Sequence, residues 1–281
     1  MKKQTLSCWL CYALTLCLAA GVAYGEEASK PITPEQTIVL FNGKDLTNFY
    51  TYTADTKYED PLHVFTVESS VDGAPAIHIS GEGSFGGITT KNEYTNYRLV
   101  TEFRWGDRTW GKRKDRTKDS GILLHCTGPD GNYSNCWMSS IECQIIEGGV
   151  GDFIVVAGKD KDGKPNVPQI TCEVAKDRDG EWIWKKGGEK RPFTGGRINW
   201  YGRDPDWKDV IGFRGKVDVE SPGKEWTKIE CICDGDKITN IVNGVVVNEA
   251  TDVKPTAGKL IFQTEGAELY IRKIELHPLK K

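Results

Sequence analysis

The sequence predicts an all-β protein with a sandwich or jelly-roll architecture. Three observations favour this fold class. Short apolar or alternating segments recur between turn residues, no segment after residue 25 has a convincing long helical pattern, and the chain contains 31 glycines and 10% aromatic residues. Many evenly spaced strands with turn residues between them are typical of sandwiches and jelly rolls.

The strands can be assigned in chain order from their alternation and from the turns that bound them. An apolar run at 38–41 ends at an Asn-Gly pair, and residues 96–105 alternate between an apolar and a charged face. Near the end of the chain a meander turns at Asp234-Gly235 and at Asn243-Gly244, dipeptides that accept the positive φ of a tight hairpin. The predicted strands are 38–41, 96–105, 121–126, one within 140–149, 226–233, 237–242, 245–248, 259–263 and 269–277.

Two regions break the strand pattern and are predicted to be loops on the sandwich. Residues 108–118 are strongly basic, which is typical of a solvated loop but would also suit recognition of an acidic or phosphorylated sugar. Residues about 160–213 are polar and rich in tryptophan, and they are predicted to form a long loop insertion. Long loops in compact domains are usually functional, and the tryptophans argue against disorder.

Residues 1–25 have the pattern of a secretory signal peptide. Lys2 and Lys3 precede an apolar run at 6–22, and small residues lead to Glu26 and Glu27. We therefore expect an exported protein, periplasmic or extracellular, with a single domain over 26–281 and no membrane contact after cleavage. A retained membrane anchor is the alternative, since the run is close to the length needed to span a bilayer.

Charge and cysteine content narrow the classes of partner. The net charge of −3 argues against nucleic acid and anionic membranes, which favour basic surfaces. Six cysteines remain after the signal, and an even count in an exported protein permits disulfides. Cys126 and Cys136 flank a Gly/Pro-containing loop and are the best candidate pair. After the predicted signal peptide neither Cys-x-x-Cys nor His-x-His occurs, so no dedicated zinc site is expected.

The segment 140–149 is the strongest candidate site. As a strand, it places Glu142 and Gln144 on one face and Ile141, Cys143 and Ile145 on the other. Glu147 follows, so two carboxylates and an amide lie close in sequence, and paired carboxylates are the groups that most sugar chemistry uses. A half-exposed strand with a solvated polar face is the alternative.

Other side chains are candidates for the same site, each with a structural alternative. His125 could be an acid or a hydrogen-bonded structural histidine, and Arg104 could clamp a sugar or form a salt bridge across its sheet. Asp119 could line a groove or stabilise a turn. Trp110 and Trp137 could be platforms for sugar rings or ordinary core.

Several motifs together resemble those of the 3-keto-disaccharide hydrolase domain family. They are LFNGKDL at 40–46, DSGILL at 119–124, GKLIFQ at 258–263 and RKI at 272–274. Each motif alone is weak, but their order and spacing are specific and cover nearly the whole chain after the signal. Members often carry a histidine before the glycine that follows GKLIFQ. Here Glu265 holds that position and is the candidate replacement.

The resemblance implies a concanavalin A-like sandwich of two curved antiparallel sheets with a sugar groove on the concave face. It also implies activity on glycosides whose C3 hydroxyl has been oxidised to a ketone. The spacing of Glu142, Gln144 and Glu147 is also similar to the Glu-x-Asp-x-x-Glu strand of laminarinase-type β-glucanases, in which a β-bulge returns the last glutamate to the face of the first. Gln144 cannot ionise as the central aspartate does, which argues against ordinary retaining hydrolysis.

A 3-keto sugar can be cleaved by elimination. The ketone acidifies the C2 hydrogen, a base removes it, and the enolate expels the C1 substituent, so the site needs a base, an enolate stabiliser and an acid. We expect Glu142 to be the base, Gln144 or an arginine to hold sugar oxygens, and Glu147 or His125 to be the acid. The cofactor stays open: a divalent metal could stabilise the enolate, with His125, Glu142 and Glu147 supplying part of its ligands.

Three functions follow from the sequence. An exported hydrolase or lyase of 3-keto-glycosides is favoured, with a carbohydrate as its partner. A non-catalytic carbohydrate-binding module is the first alternative, because a fold does not dictate its function. A conventional β-glucanase is the second.

Overall fold

The structure is a computed structural model that describes residues 30–280, so the predicted signal peptide lies outside the described residues. The described chain contains twenty β-strands and one 3₁₀ turn, Gly111–Arg113. In chain order the strands are β1 Ile38–Val39, β2 Phe49–Thr53, β3 Phe65–Val71, β4 Ala74–Ile79, β5 Gly86–Thr90, β6 Tyr97–Thr109, β7 Asp119–Thr127, β8 Ser139–Ile146, β9 Phe153–Val156, β10 Gly158–Lys159, β11 Pro165–Asn166, β12 Gln169–Lys176, β13 Trp182–Trp184, β14 Glu189–Phe193, β15 Gly196–Ile198, β16 Thr227–Asp234, β17 Lys237–Val242, β18 Val245–Lys254, β19 Lys259–Thr264 and β20 Ala267–Pro278. Between residues 30 and 280 no helix has the length and apolar character needed to cross a membrane.

Most of the strands form two antiparallel sheets. The smaller sheet has seven strands in the order β15-β9-β8-β7-β19-β5-β2. The larger has eleven strands, of which nine follow the order β13-β12-β18-β17-β16-β6-β20-β4-β3, while β1 pairs with β20 and β14 with β12. Strands β10 and β11 form a separate two-stranded ribbon.

A single apolar core lies between the two sheets. Its members come from the inward faces of both sheets and include Ile122 and Cys143 of the smaller sheet and Tyr97 and Cys231 of the larger. The Tyr97 ring meets His125 edge to face across the gap, with 5.9 Å between ring centroids. The prediction of an all-β sandwich of two antiparallel sheets is therefore confirmed.

The segment 160–213 is not the long loop that the sequence predicts over its whole length. Strands β12, β13 and β14 extend the larger sheet, and β15 forms the edge of the smaller one. Ile170, Cys172 and Val174 alternate with partly exposed residues and join the core. The turns between these strands are polar, and they obscured the short period-two pattern. Only residues 199–226 connect β15 to β16 without a strand.

The predicted Cys126–Cys136 disulfide is absent, because all six cysteines of the described chain are free and buried. The Cys126 thiol points back to the carbonyl of Leu123 at 3.4 Å, and the Cys136 thiol to that of Tyr133 at 3.8 Å. Both belong to a small apolar cluster on the outer face of the seven-stranded sheet. Burial raises the pKa of both thiols, so they behave as apolar packing groups.

Candidate active site

The outer face of the seven-stranded sheet carries the predicted polar side chains of β8. Ile141, Cys143 and Ile145 enter the core, so Glu142 and Gln144 project from the opposite face, as predicted. Both are nearly covered, with 4% and 2% of their surfaces exposed. The alternative of a solvated polar strand face is therefore wrong, because solvated side chains would be open to water.

A glycine on the neighbouring strand makes room for Glu142. Gly121 of β7 lies opposite Gln144 in the sheet register. A Cβ atom at Gly121 would lie 2.1 Å from Glu142 Oε1 and 2.3 Å from Gln263 Oε1. The side chains of Glu142, from β8, and Gln263, from β19, thus meet over the bare backbone of the strand between them.

Gln144 belongs to a polar chain that leads to the basic loop. Its amide nitrogen donates to Asp119 Oδ1 at 3.0 Å, and Arg113 donates to the other oxygen of that carboxylate. Arg113 also lies 3.5 Å from Asp209 Oδ1. Gln144 Oε1 and both polar atoms of the Gln263 amide are buried without a hydrogen-bond partner. Unpaired buried amides are costly, so they are candidates for water or ligand contacts.

Glu265 supplies the second carboxylate of the site. It follows β19 directly, is partly buried, and lines a cavity on this face. Burial raises its pKa to about 7, although Arg113 and Arg197 oppose the rise. Glu265 thus places a titratable group beside this cavity.

Glu142 and Glu265 influence each other electrostatically. Burial is the main reason that the pKa of Glu142 lies well above its ordinary value, and the charge of Glu265 adds to the rise. Arg197 and the amide of Gln263 act in the opposite direction. Two carboxyl groups that share a desolvated site can hold one proton between them, which is the arrangement that acid–base chemistry requires.

Aromatic rings wall the cavity that Glu265 lines. Its volume is about 540 Å³, and its walls include Phe85, Trp110, Tyr133 and Trp137. Trp137 lies nearly parallel to both Phe85 and Tyr133, with centroid separations of 5.9 Å and 6.3 Å. Its indole nitrogen donates to the Gly86 carbonyl at 2.9 Å, which fixes the ring. Trp110 and Trp137 thus both line this cavity, and Trp137 also packs in the small apolar cluster of the outer face.

Glu147 does not join Glu142. The register of β7 with β8 runs without a shift from Leu124–Ile141 to Asp119–Ile146, so the predicted β-bulge is absent and Glu147 lies on the other side of the strand. Its Oε2 atom accepts hydrogen bonds from the backbone N–H groups of Lys118 and Gly212, both at 2.9 Å. Glu147 lines a different cavity, beside Trp105 and Glu220, and ties two loops together.

His125 is also outside the site. A register shift follows Leu124, and His125 has a φ of 53°, which turns its ring into the core. Its Nδ1–H donates to the Pro255 carbonyl at 2.9 Å. Burial lowers the pKa of His125 to about 4, so it is neutral at physiological pH. The structural reading of this histidine is the right one.

Arg104 lies on the outer face of the larger sheet, the opposite side of the sandwich from Glu142. It donates to Asp72 at 2.7 Å and its guanidinium lies over the rings of Trp226 and Tyr270. The structure therefore places Arg104 away from Glu142 and in a salt bridge, which was the alternative that the sequence offered. Alternation along β6 explains the position of Arg104. Phe103 and Trp105, on either side of it, enter the core, so Arg104 points away from the core.

His125, Glu142 and Glu147 cannot form the metal site that the sequence left open, because they point in three different directions. Between residues 30 and 280, one acidic cluster has ligand atoms within 4.8 Å of one another, namely Asp177, Asp179 and Glu181. It lies on the turn between β12 and β13, and its backbone contacts, such as Glu181 N–H to Asp177, are those of an ordinary Asx turn.

Sequence reasoning missed Gln263, Arg113 and Arg197 as members of the site. Gln263 is two residues from Ile261 on the same strand, so the sequence allows its face to be inferred. The sequence does not show that β7 is the neighbouring strand. Arg113 was hidden in a basic run of similar residues. Arg197 lay in the segment that the sequence predicted to be a loop. A predicted loop has no strand register, so nothing in the sequence related Arg197 to Glu142.

An all-β sandwich with paired carboxyl groups and an aromatic-walled cavity on one sheet face is the architecture of carbohydrate-active, glycosyl hydrolase-like proteins. The chain belongs to the 3-keto-alpha-glucoside-1,2-lyase-like domain family, whose profile matches residues 36–277. The resemblance derived from the sequence motifs is thereby confirmed.

Solved structures with a similar fold include carbohydrate-active and carbohydrate-binding proteins. A protein of Parabacteroides distasonis, provisionally classed as a glycosyl hydrolase, is 19% identical with a TM-score of 0.49, covering 88% of this chain and 95% of its own. The carbohydrate-binding module CBM66 of Bacillus subtilis is 10% identical with a TM-score of 0.42, covering 81% and 94%. The β-glucanase of Bacillus licheniformis is 10% identical with a TM-score of 0.40, covering 87% and 99%. No curated protein matches the chain.

Proposed function

We propose that the protein cleaves glycosides whose C3 hydroxyl has been oxidised to a ketone, by proton abstraction at C2 followed by elimination. The observation that carries the proposal is the pair Glu142 and Glu265, two carboxyl groups with raised pKa values on the sheet face that also holds the aromatic cavity. Membership of a family described as 3-keto-alpha-glucoside-1,2-lyase-like supports the substrate class.

Glu142 is the base. A carboxylate whose pKa is raised toward the working pH takes a proton more readily than an ordinary glutamate, and the keto group acidifies the C2 hydrogen that it removes. The electrons of the broken C2–H bond form the C2–C3 double bond of an enolate, and the proton resides on Glu142. This side chain lies over Gly121 of β7, beside the amide of Gln263.

Glu265 is the acid. Collapse of the enolate re-forms the C3 carbonyl, creates a C1–C2 double bond and breaks the bond between C1 and the leaving oxygen. That oxygen takes the proton of Glu265, whose pKa of about 7 leaves a substantial protonated fraction at neutral pH. Addition of water across the C1–C2 double bond then completes a net hydrolysis. If water does not add, the unsaturated sugar is the product and the reaction is that of a lyase.

The aromatic cavity binds the part of the substrate next to Glu265. Trp110 and Tyr133 offer aromatic surface to a sugar or to an aromatic leaving group, and Trp137, stacked with Phe85 and Tyr133, supports this wall. Replacing Trp137 by alanine is expected to raise KM by roughly tenfold, since aromatic packing of this kind contributes ~1 kcal/mol or more. The C2 exchange rate at saturating substrate is expected to change little, because Trp137 does not touch the reacting atoms.

One assay separates the three functions. The protein is incubated with a p-nitrophenyl 3-keto-α-glucoside and with its unoxidised parent, each with and without a chelator. Release of p-nitrophenol from the keto form alone supports elimination, and release from the parent supports a glucanase-type hydrolase. Binding without release from either supports a carbohydrate-binding module. Loss of activity with chelator would show that a metal takes part.

A conventional retaining mechanism finds no support in the geometry. It requires two carboxyl groups about 5 Å apart across the scissile bond, and Glu147, the expected partner of Glu142, lies on the other side of the strand. Glu147→Gln should therefore leave turnover of the keto substrate within a few-fold of wild type.

We also propose that the protein is exported. The support is the n-region, apolar run and small-residue pattern of residues 1–25. Cell fractionation with N-terminal sequencing tests this: a mature chain beginning after Ala23 or Gly25 in the periplasm or medium is expected. An uncleaved chain in the membrane fraction would instead show a retained anchor.

A further inference from the structure

Arg197 lies on the same sheet face as Glu142. It is the middle residue of the edge strand β15, where Ile198 enters the core and Arg197 points outward. The register pairs Arg197 with Ile154 of β9 and Ile154 with Glu142 of β8. Two strand spacings separate the backbones by ~10 Å. Ile154 lies between them on the same face, so the side chains of Arg197 and Glu142 flank that of Ile154.

Arg197 shares its carboxylate partner with a second arginine. Its nearest carboxylate is Asp152, at 3.4 Å, but Asp152 is already held by Arg203 at 2.8 Å and by the Trp200 N–H at 2.7 Å. The side chains of Arg203 and Asp152 are 5% and 0% exposed, whereas that of Arg197 is 32% exposed. The buried pair Asp152–Arg203 is thus nearly neutral in itself, and the Arg197 guanidinium keeps its charge on the open face.

Both candidate catalytic carboxyl groups feel this charge. Arg197 counters the rise in the pKa of Glu142 and that of Glu265. Arg113 also acts on Glu265, but it is committed to Asp119 and Asp209. Between residues 30 and 280, Arg197 is therefore the cation that combines proximity to both carboxyl groups with weak pairing of its own.

We propose that Arg197 is a further catalytic residue, which donates hydrogen bonds to the C3 oxygen of the keto sugar and stabilises the enolate. This inference rests on the proposed function. As Glu142 takes the C2 proton, the electrons move onto the C3 oxygen, and the guanidinium faces the charge that develops there. Preorganised donors at such an oxyanion are the largest single contribution in many enzymes. No co-reactant is needed, because the proton stays on Glu142.

The test compares Arg197→Met and Arg197→Lys with Arg178→Met. Methionine removes the charge at similar length, lysine keeps the charge without the planar fork, and Arg178 is an exposed arginine that pairs with Asp206 on another turn. Two rates are measured for each protein: release of p-nitrophenol from the 3-keto-α-glucoside, and exchange of the C2 hydrogen with D₂O, which reports enolate formation separately from C1–O cleavage.

Arg197→Met is expected to lower kcat and the exchange rate together by ~10²–10³, with a smaller change in KM, because the charge develops after binding. Arg197→Lys should fall between this variant and wild type. In the methionine variant the acid limb of the pH–rate profile should move to higher pH, since a cation that favours the Glu142 carboxylate is gone. If Arg197 acted only by stabilising the fold through Asp152, Arg197→Met would lower the melting temperature but would not move the acid limb of the pH–rate profile.

The two proposals fail in different ways. If the wild-type protein releases nothing from the keto substrate, the proposed function is wrong. If the wild type is active and Arg197→Met matches Arg178→Met in kcat, exchange and pH profile, the function stands and the role of Arg197 is overturned. A variant that loses p-nitrophenol release but keeps full exchange would also overturn it, because enolate formation would not need the guanidinium.

Discussion

Glu142 lies on β8 and Glu265 on the turn after β19, and burial raises the pKa of both carboxyl groups. The sequence singles out Glu142 through its strand parity, and it notes Glu265 only as a departure from the family pattern. What the sequence does not show is that the two charges interact, because this depends on the pairing of β8, β7 and β19. The raised pKa values follow from that pairing together with burial.

The pH dependence of activity should report this pair. Elimination needs Glu142 ionised and Glu265 protonated, so kcat/KM for the keto substrate should follow a bell-shaped curve. The alkaline limb is expected near pH 7, where Glu265 loses its proton. Glu265→Gln should lower the rate and remove this limb. Persistence of the limb in that variant would assign it to another group.

Glu142→Gln should stabilise the fold while abolishing turnover. The pKa of Glu142 is raised in the folded protein, so the folded state binds the proton more tightly, and stability is lost as pH rises above the ordinary value of 4.5. The neutral amide avoids this loss. The gain in melting temperature over wild type should therefore be small at pH 4 and grow toward pH 8. A gain that is constant with pH would show that the carboxyl group is not desolvated.

At the scale of the strand, Gly121 decides whether Glu142 can occupy its position. Gly121→Ala adds a methyl group at a point 2.1 Å from Glu142 Oε1, so the carboxylate must move and turnover of the keto substrate should fall by ~10-fold or more. Gly195→Ala is the matched control, since no atom lies within 4 Å of its Cβ position. Equal activity of the two variants would show that Glu142 tolerates displacement.

Glu147 is predicted to matter for stability. Its Oε2 atom joins the loop before β7 to residue Gly212, and loss of charge-assisted hydrogen bonds to buried backbone groups costs ~1–3 kcal/mol. Glu147→Ala, which removes the acceptor oxygen for both N–H groups, should therefore lower the free energy of unfolding by ~1–3 kcal/mol in urea denaturation. Turnover of the keto substrate by Glu147→Gln is expected to stay within a few-fold of wild type, and this distinguishes a stability role from a catalytic one.

Period-two alternation predicted nine of the twenty described strands and correctly placed the faces of β8. It failed where a local irregularity changed the parity, as at His125, whose positive φ turns its ring inward. It also failed at Arg104. Alternation correctly placed this side chain on the polar face of its strand, but it did not show that the strand belongs to the larger sheet. Alternation gives the two faces of a strand but not which sheet, or which side of the sandwich, the polar face belongs to.

At the scale of the whole molecule, the inward ring of His125 links the two sheets and makes stability depend on pH. Burial lowers its pKa from 6.5 to about 4 in the folded protein. The folded state therefore binds fewer protons than the unfolded chain, and the contribution of the neutral ring is lost as pH falls from about 6.5 toward 4.

His125→Asn removes this titration, and asparagine tolerates the positive φ while its amide can donate to Pro255. The variant should be less stable than wild type at pH 7, and the difference should shrink between pH 6.5 and pH 4. Denaturant melts across this range provide the measurement. Parallel curves for the two proteins would mean that His125 titrates normally.

The sandwich class, the family and the polar face of β8 could all be predicted from the sequence. The remaining features depend on contacts between distant segments: β12 to β15 joining the sheets, Arg197 reaching the row of Glu142, and Gln263 meeting Glu142 over Gly121. These pairings place the five strands β15-β9-β8-β7-β19 side by side although β15 and β19 lie far from β7 and β8 in the chain, and no local pattern encodes their order.

The most direct measurement of the central claim is C2 hydrogen exchange in D₂O on a 3-keto-α-glucoside, comparing wild type with Glu142→Gln. We predict that the wild type exchanges the C2 hydrogen and releases the aglycone from the keto form only, and that Glu142→Gln loses both activities while staying folded. Exchange or release that is undiminished in Glu142→Gln would contradict the assignment of Glu142 as the base.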